Sequence, residues 1–407
     1  MMKQITALLV LLALSACAAV PVADTRPAQP LILISIDGFR ADYIKRGVTP
    51  NLQALADGGA TAPDGMRPSF PSLTFPNHYT LVTGKVPDHT GIIANTMLDA
   101  GKPGVTFMMS NADAVTDGYW WSGALPVWDS VVKSGGRSAV EFWPGSEATV
   151  EGLHPTYFSH FDYHVTNEQR VDQVLAWMDL PADQRPGLYL LYFDIVDHQG
   201  HDFGPDSQQV TDAAAQVDSA IGRLREGLKA RGVTPNIIVV ADHGMAAISP
   251  DRAYFLEDYI PADSYDAVVT GPEAEINPKP GREADVEKLT HMHFDHMQCW
   301  DKANIPARLH YGKNPRIPAI VCLGDPGWLV DDTHAKGIGY KGGAHGYDPA
   351  SPLMAALFIA NGPDIKPGVT LPTFDNVDVY DLEMRLLHLK PEPNDGHLAP
   401  LKPALAD

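Results

Sequence analysis

The sequence predicts an α/β fold built on a central sheet of mixed or largely parallel strands flanked by helices. Three apolar runs, at residues 31–36, 188–193 and 237–241, lack polar alternation, which is typical of strands buried on both faces. Helical patterns separate these runs, and the clearest is the amphipathic stretch at 210–230. Strands that alternate with helices along a chain indicate a parallel sheet covered by helices.

Other stretches fit this arrangement. Residues 50–58 and 170–178 have helical spacing, and residues 355–360 predict a further strand. The segment 194–206, which follows the second apolar run, is polar, and we expect a loop there. These elements extend the alternation of strands and helices over most of the chain.

The segment from about 250 to 335 interrupts this pattern. It is rich in proline and shows no alternation of strands with helices, so we expect an irregular cap inserted into a single domain that spans 31–395. Cys299 and Cys322 both lie in this segment. In an exported protein an even pair of cysteines favours a disulfide, and two cysteines are too few for a cysteine zinc motif.

The N-terminal residues indicate export. Lys3 precedes an apolar run at 5–14, and LSAC at 14–17 resembles a bacterial lipobox, which would place a lipid on Cys17. Ordinary signal cleavage near residues 16–19 is the alternative. We therefore expect residues 1–17 to act as a signal, residues 18–30 to form a linker, and the mature protein to be a periplasmic lipoprotein that meets the membrane only through this anchor.

The overall charge restricts the ligand. The chain has 407 residues and a formal net charge of −20, which argues against a nucleic-acid polymer held on a basic surface. If the ligand is a small anion, the positive charge must be supplied locally. A bound metal ion is the obvious source of that charge.

Thr74 lies within residues 70–84, FPSLTFPNHYTLVTG. The pattern places it at an N-cap-like position of a helix, where unpaired N–H groups and the helix dipole favour bound anions. A plain structural cap is the alternative for a threonine in such a place. Asn95 follows in a turn-rich region.

Acidic and histidine side chains follow the predicted strands. They are Asp37 after the first, Asp197 and His201 after the second, and Asp242 and His243 after the third, with His345 on a glycine-rich loop further on. Open α/β sheets place their ligand sites at the carboxyl ends of the strands, so we expect these side chains to converge there. Carboxylate and imidazole donors suit Zn²⁺.

These motifs together resemble the nucleotide pyrophosphatase/phosphodiesterase family of the alkaline phosphatase superfamily. The resemblance rests on SIDGFR at 35–40, TFPNH at 74–78, Asn95, D-x3-H-x2-GP at 197–205, ADHGM at 241–245 and GAHGYD at 343–348. Two departures, Asp194-Ile195-Val196 in place of Glu-x-Pro and Pro349 in place of a frequent asparagine, remove no ligand. The resemblance implies an alkaline phosphatase-like fold.

The resemblance also implies roles for these residues. One zinc ion would be held by Asp197, His201 and His345, and a second by Asp37, Asp242, His243 and the Thr74 oxygen. Thr74 would be the nucleophile that forms a threonyl covalent intermediate, and Asn95 would bind a phosphoryl oxygen. Phe75 and Tyr192 would wall the leaving group or nucleobase, with ordinary core packing as their alternative. We expect a small phosphodiester or nucleotide substrate and a monomeric protein.

Several alternatives compete with this interpretation. The sequence HMHFDH at 291–296 spells the di-zinc motif of metallo-β-lactamase-fold hydrolases, although no buried strand precedes it and no glycine turn follows. A sulfatase would have Cys or Ser followed by x-Pro-x-Arg, which the Thr74 motif lacks. A phosphomonoesterase of the same superfamily and a non-catalytic metal-binding lipoprotein are further alternatives. The Thr74 motif has no Lys or Arg to offset a monoester's extra charge, and a binder needs no nucleophile.

Overall fold

The structure is a computed structural model that describes residues 29–334 and 341–406. The predicted signal, Cys17 and most of the predicted linker lie outside the described residues. Across the described residues the strands are β1 Leu31–Ile36, β2 Ala60–Thr61, β3 Met97–Leu98, β4 Thr106–Phe107, β5 Ser138–Glu141, β6 Tyr157–Ser159, β7 Leu188–Phe193, β8 Asn236–Val240, β9 Ala246–Ala247, β10 Ala253–Phe255, β11 Tyr265–Val269, β12 Glu273–Pro278, β13 Met297–Asp301, β14 Ile320–Gly324, β15 Leu329–Asp331, β16 Gly343–Ala344, β17 Phe358–Asn361 and β18 Val369–Thr370.

Helices connect these strands. In the described part of the chain the α-helices are α1 Pro50–Asp57, α2 Thr74–Thr83, α3 Pro87–Thr90, α4 Ala112–Val115, α5 Gly118–Trp121, α6 Val127–Lys133, α7 Asn167–Met178, α8 Ile195–Phe203, α9 Gln208–Arg231, α10 Glu283–His291 and α11 Asp378–Leu386. Short 3-10 helices cover Ala41–Arg46, Leu256–Asp258, Ala307–Leu309, Pro352–Met354 and Lys402–Ala404.

The central sheet is mixed, as predicted. Among the described residues it has eight strands in the order β18-β2-β17-β8-β1-β7-β5-β6. β1 pairs in parallel with β7 and β8, whereas β17 is antiparallel to both of its neighbours. β1, β7 and β8 are buried along their whole length, which explains their continuous apolar sequences. Helices α7 and α8 each pack on α9, and α2 packs on α6 and α11.

The predicted insert contains regular structure between its irregular connections. Strands β11, β12, β14 and β13 form an antiparallel sheet, and α10 packs against it. Cys299 of β13 lies opposite Cys322 of β14, and the two form the predicted disulfide. No helix within 29–334 or 341–406 has both the length and the apolar character needed to cross a bilayer.

Two local predictions were wrong. The segment predicted as a polar loop after β7 is helix α8, because its Asp197 and His201, four residues apart, share one helix face while Val196 and Gly200 are buried. Thr74 is the first residue of α2 rather than its N-cap. The cap position belongs to the extended residue Leu73, whose carbonyl accepts the first helical hydrogen bond from the Asn77 N–H at 3.1 Å.

Candidate active site

The carboxyl ends of three adjacent parallel strands meet at one edge of the sheet. Asp37 directly follows β1, Asp197 lies on α8 after β7, and Asp242 follows β8. The backbone N–H of Gly38 donates to Asp242 Oδ1 at 3.1 Å. Gly38 has φ +65°, and a Cβ atom there would lie 2.9 Å from the Cβ of Asp197. A glycine is therefore required for the three turns to approach so closely.

A small antiparallel pair brings His345 to the same edge. β16 precedes His345 and pairs with β9, which follows His243. Gly342 at the start of this loop has φ +87°, and a Cβ atom there would lie 1.9 Å from the carbonyl oxygen of His201. This close approach between two loops explains why glycines surround the late histidine of the motif.

Three histidines of the site have the same orientation. Their Nδ1 atoms donate to backbone carbonyls: His201 to Gly343 at 3.0 Å, His243 to Gly244 at 2.9 Å and His345 to Ser72 at 2.9 Å. Each neutral imidazole then has its unprotonated Nε2 directed into the site. The Nε2 atoms of His201 and His345 lie 3.0 Å apart, where two lone pairs repel unless a cation or a proton lies between them.

The aspartate carboxylates of the site also have oxygen atoms without hydrogen-bond partners among the described residues. These buried atoms are Asp37 Oδ1, Asp197 Oδ1 and Asp242 Oδ2. Asp242 Oδ2 lies 3.0 Å from His243 Nε2, and Asp37 Oδ1 lies 3.5 Å from the same nitrogen. Buried polar atoms in native proteins are paired, so this cluster of unpaired oxygen and nitrogen lone pairs fits bound metal ions.

The close approach of these groups shifts their pKa values in opposite directions. Burial, with Asp242 and Asp197 nearby, raises the pKa of Asp37 well above its ordinary range. Asp197 raises the pKa of His201 to about 9, whereas burial and the neighbouring His243 lower the pKa of His345 to about 3. Without a cation, the neutral forms of the Asp37 carboxyl and the His345 imidazole are therefore favoured at this edge of the sheet.

Potential ligand atoms fall into two groups, Asp197 with His243 and His345, and Asp37 with His78 and Asp242. The residues predicted as ligands therefore lie close together. Grouping by distance alone, however, places His243 with Asp197 and His345, and it places His78 with Asp37 and Asp242.

His78 uses both ring nitrogens within the protein. Nδ1 donates to the Thr74 carbonyl at 2.9 Å, and Nε2 bonds with Ser35 Oγ at 2.8 Å. We therefore regard His78 as a support for helix α2 rather than a ligand.

His78 is a site residue whose role the sequence analysis missed. Its Nδ1 also lies 3.3 Å from Asp242 Oδ2, so it joins the first turn of α2 to the turn after β8. The available signal was its spacing of four residues from Thr74, which places the two side chains on one face of the helix. That spacing does not by itself show which strand end the imidazole contacts.

Thr74 faces the predicted ligands from the start of α2. Its Oγ1 lies 3.4 Å from His243 Nε2, and every residue of the helix is buried. The next N–H, that of Phe75, donates to Asn95 Oδ1 at 2.9 Å. This bond fixes the Asn95 side chain against the helix start, and the Asn95 amide nitrogen makes no hydrogen bond within the described residues.

A cavity of about 310 Å³ opens beside Thr74 and is lined in part by Phe75, Phe161 and Tyr192. Phe75 also packs edge-on against Phe107 and Trp121, so it belongs to both the core and the cavity wall. The Tyr192 hydroxyl donates to Asp37 Oδ2 at 2.6 Å. Tyr192 therefore lines the cavity with its ring and positions a predicted metal ligand with its hydroxyl.

The motif at 291–296 does not form a comparable site. The side chains of His293 and Asp295 are 93% and 85% exposed, and their nearest polar atoms are 3.8 Å apart. His296 pairs with Asp325 instead, at 3.1 Å. The groups of described residues able to hold a metal include none of these side chains.

Comparison with known proteins is consistent with this site. The sequence model of the type I phosphodiesterase / nucleotide pyrophosphatase family matches residues 31–348. The chain is 39% identical over 381 residues to an uncharacterized pyrophosphatase/phosphodiesterase of Schizosaccharomyces pombe, covering 90% of this chain and 78% of that protein. It is 37% identical to ectonucleotide pyrophosphatase/phosphodiesterase family member 3 of Rattus norvegicus over 90% of this chain, but it spans only 43% of the rat protein.

Solved structures share the fold. Murine ectonucleotide pyrophosphatase/phosphodiesterase 5 superimposes with a TM-score of 0.88 at 31% identity, covering 93% of this chain and 100% of the murine one. An inactive threonine-to-alanine variant of the same murine protein, in complex with AMP, matches equally well.

Proposed function

The chain belongs to the type I phosphodiesterase / nucleotide pyrophosphatase family, and we propose that it hydrolyses phosphodiester or pyrophosphate bonds of small nucleotides or related diesters. The observation that carries this proposal is the convergence of three imidazole Nε2 atoms and three unpaired carboxylate oxygens beside the Thr74 hydroxyl. This arrangement supports a metal-dependent hydrolase with a threonine nucleophile.

We infer that the metal is zinc and that two ions bind. Asp197, His201 and His345 would hold one, and Asp37, Asp242, His243 and the Thr74 oxygen would hold the other. Two Zn²⁺ contribute +4 and three aspartates −3, so that an ionised Thr74 would bring the site to neutrality before the anionic substrate binds. When bound, the ions would supply the positive charge that makes the threonine alkoxide accessible and stabilises the reacting oxygens.

The chain's own residues would orient the reaction. Thr74 Oγ1 would attack phosphorus and displace one ester or pyrophosphate oxygen as the leaving group, which forms a threonyl covalent intermediate; water would then cleave the new P–O bond and restore the Thr74 hydroxyl. As the first residue of α2, Thr74 has no helical acceptor for its own N–H, which could therefore bind a non-bridging phosphoryl oxygen together with the Asn95 amide nitrogen. The murine threonine-to-alanine variant described as inactive and bound to AMP supports both the nucleophile and a nucleotide ligand.

The cavity beside Thr74 favours diesters over monoesters. The described residues that line it include Glu147 and no lysine or arginine. A phosphate monoester carries a second negative charge, which nothing in this lining would compensate. Phe75, Phe161 and Tyr192 offer aromatic surface to a base or another flat ester group, and such stacking tolerates different bases.

The test compares matched aryl phosphate mono- and diesters on zinc-loaded protein. We expect a higher kcat/KM for the diester, and at least about 1,000-fold lower turnover for Thr74→Ala with unchanged zinc content, because the nucleophile is lost but most ligands remain. A clear preference for the monoester would overturn the substrate class. Undiminished hydrolysis by metal-loaded Thr74→Ala would overturn the mechanism.

We also propose that residues 31–395 form one catalytic domain that is exported and acts as a monomer. The lipobox-like sequence LSAC at 14–17, in which Cys17 would be the lipid acceptor, supports a periplasmic, membrane-anchored location. The rat relative is named an ectonucleotide enzyme, which is consistent with export.

A further inference from the structure

The segment that carries Asn95 is held by the insert. Residues 87–99 include α3, a connection at 91–96 and β3, and the connection lies outside regular structure, so that its backbone groups need partners from elsewhere. At the beginning of the segment, Asp88 Oδ1 accepts hydrogen bonds from three successive N–H groups of the insert, at 3.1, 2.8 and 2.8 Å, contributed by Gly312, Lys313 and Asn314. Asp88 is only 6% exposed.

Arg316 joins two further points of the same segment. Its Nη1 donates to the Gly91 carbonyl at 2.7 Å, and its Nε donates to Asp99 Oδ2 at 2.6 Å. The side chain is 10% exposed, so these bonds are largely shielded from water. Gly91 and Asp99 lie on opposite sides of Asn95 in the sequence. Arg316 therefore fixes both ends of the turn that presents Asn95.

Tyr311 contacts the same segment at a position only two residues from Asn95. Its hydroxyl lies 3.2 Å from the Ile93 carbonyl, two residues before Asn95, and 2.6 Å from Glu275 Oε1 on strand β12. Tyr311 and Glu275 are both buried. The antiparallel sheet of the insert is thus connected to the Asn95 turn through one tyrosine hydroxyl.

We propose that Tyr311 and Arg316 are positioning residues for the Asn95 amide. This inference rests on the proposed function, in which Asn95 binds a phosphoryl oxygen. A hydrogen-bond donor of this kind is effective only when it is held about 2.7–3.1 Å from the oxygen that becomes more negative in the transition state. One side of the Asn95 amide is fixed by the Phe75 N–H, and the insert fixes the turn from which the side chain extends.

A double-mutant cycle tests this assignment. Tyr311→Phe removes one hydroxyl and leaves the ring, so we expect kcat for an aryl phosphodiester to fall about fivefold with little change in KM. In an Asn95→Ala background the same substitution should change kcat less than about twofold, because the group that it positions is already absent. Arg316→Lys keeps the charge but cannot bond Gly91 and Asp99 together, and we expect the same dependence on Asn95.

The control is Tyr189→Phe, since the Tyr189 hydroxyl is buried without a hydrogen-bond partner among the described residues. We expect this variant to retain the original kcat. Equal losses from Tyr311→Phe in both backgrounds, or no loss in either, would overturn the positioning role. If Asn95→Ala and Thr74→Ala both retained full turnover, the proposed function itself would fail, so the two failures are distinguishable.

Discussion

Tyr192→Phe separates metal binding from substrate binding at this site. The hydroxyl of Tyr192 donates to Asp37 Oδ2 at 2.6 Å inside the protein, whereas its ring faces the cavity beside Thr74. Phenylalanine retains the ring and loses only the hydrogen bond. If Asp37 is a metal ligand, the substitution should weaken metal binding and leave the contact with substrate in place.

The size of the effect follows from that bond. A buried hydrogen bond to a charged group contributes about 1.5–3 kcal/mol. Because the bond is already formed without the metal, this energy is an upper limit for the effect on zinc binding. Loss of a partner that orients a metal ligand typically weakens metal binding about 10–100-fold, and we expect a loss of that order here.

Equilibration against zinc buffers of graded free concentration measures this effect, with bound zinc and diester turnover followed together. We expect the midpoint for Tyr192→Phe to move to higher free zinc and kcat/KM to recover when zinc saturates the protein. Tyr189→Phe, on the same strand, should leave the midpoint unchanged. An unchanged midpoint for Tyr192→Phe would refute the role of Asp37 as a ligand. A loss of turnover that persists at saturating zinc would indicate that the Tyr192 hydroxyl acts in substrate binding.

Three further outcomes are expected. Burial raises the pKa of Glu141 from 4.5 to about 7, so folding favours its neutral form and stability declines as pH rises through this range. Glu141→Gln, which can still accept the Ser159 hydrogen bond, should be about 2 kcal/mol more stable than the parent at pH 8 but similar at pH 4.5, by urea unfolding. Replacing His293 and Asp295 together by alanine should change neither zinc content nor turnover. A loss of zinc would show instead that the motif at 291–296 binds metal. If Cys17 is lipidated, Cys17→Ala should move the exported protein from the membrane to the soluble fraction. If ordinary signal cleavage occurs instead, the parent and the variant should both be in the soluble fraction.

The sheet and its ligand edge were predictable because their signals are local. An apolar run such as 31–36 specifies a buried strand without reference to the rest of the chain. The residue after it, Asp37, then lies at the carboxyl end by definition. Because parallel neighbours share that edge, the convergence of Asp37, Asp197 and Asp242 followed from strand type alone.

Pairings between distant residues were not predictable in this way. The bond from Tyr192 to Asp37 joins positions 155 residues apart, and that from Tyr311 to Ile93 joins positions 218 apart. Neither partner has a local pattern that indicates the other. The same limit explains helix α8, whose polar sequence resembles a loop until the burial of Val196 and Gly200 against neighbouring elements is known.

The arrangement of the ligand edge links stability to metal binding. Three buried carboxylate oxygens without hydrogen-bond partners among the described residues are unfavourable in a metal-free fold, because their desolvation is not offset. A cation that binds only the folded chain offsets this cost, so its binding free energy adds to folding stability. The insert's hold on the Asn95 segment lies outside this cluster and uses hydrogen bonds that are complete within the described chain. Removing the metal should therefore disorganise the ligands before it releases Asn95. This order separates loss of the activation proposed for Thr74 from loss of the phosphoryl contact proposed for Asn95.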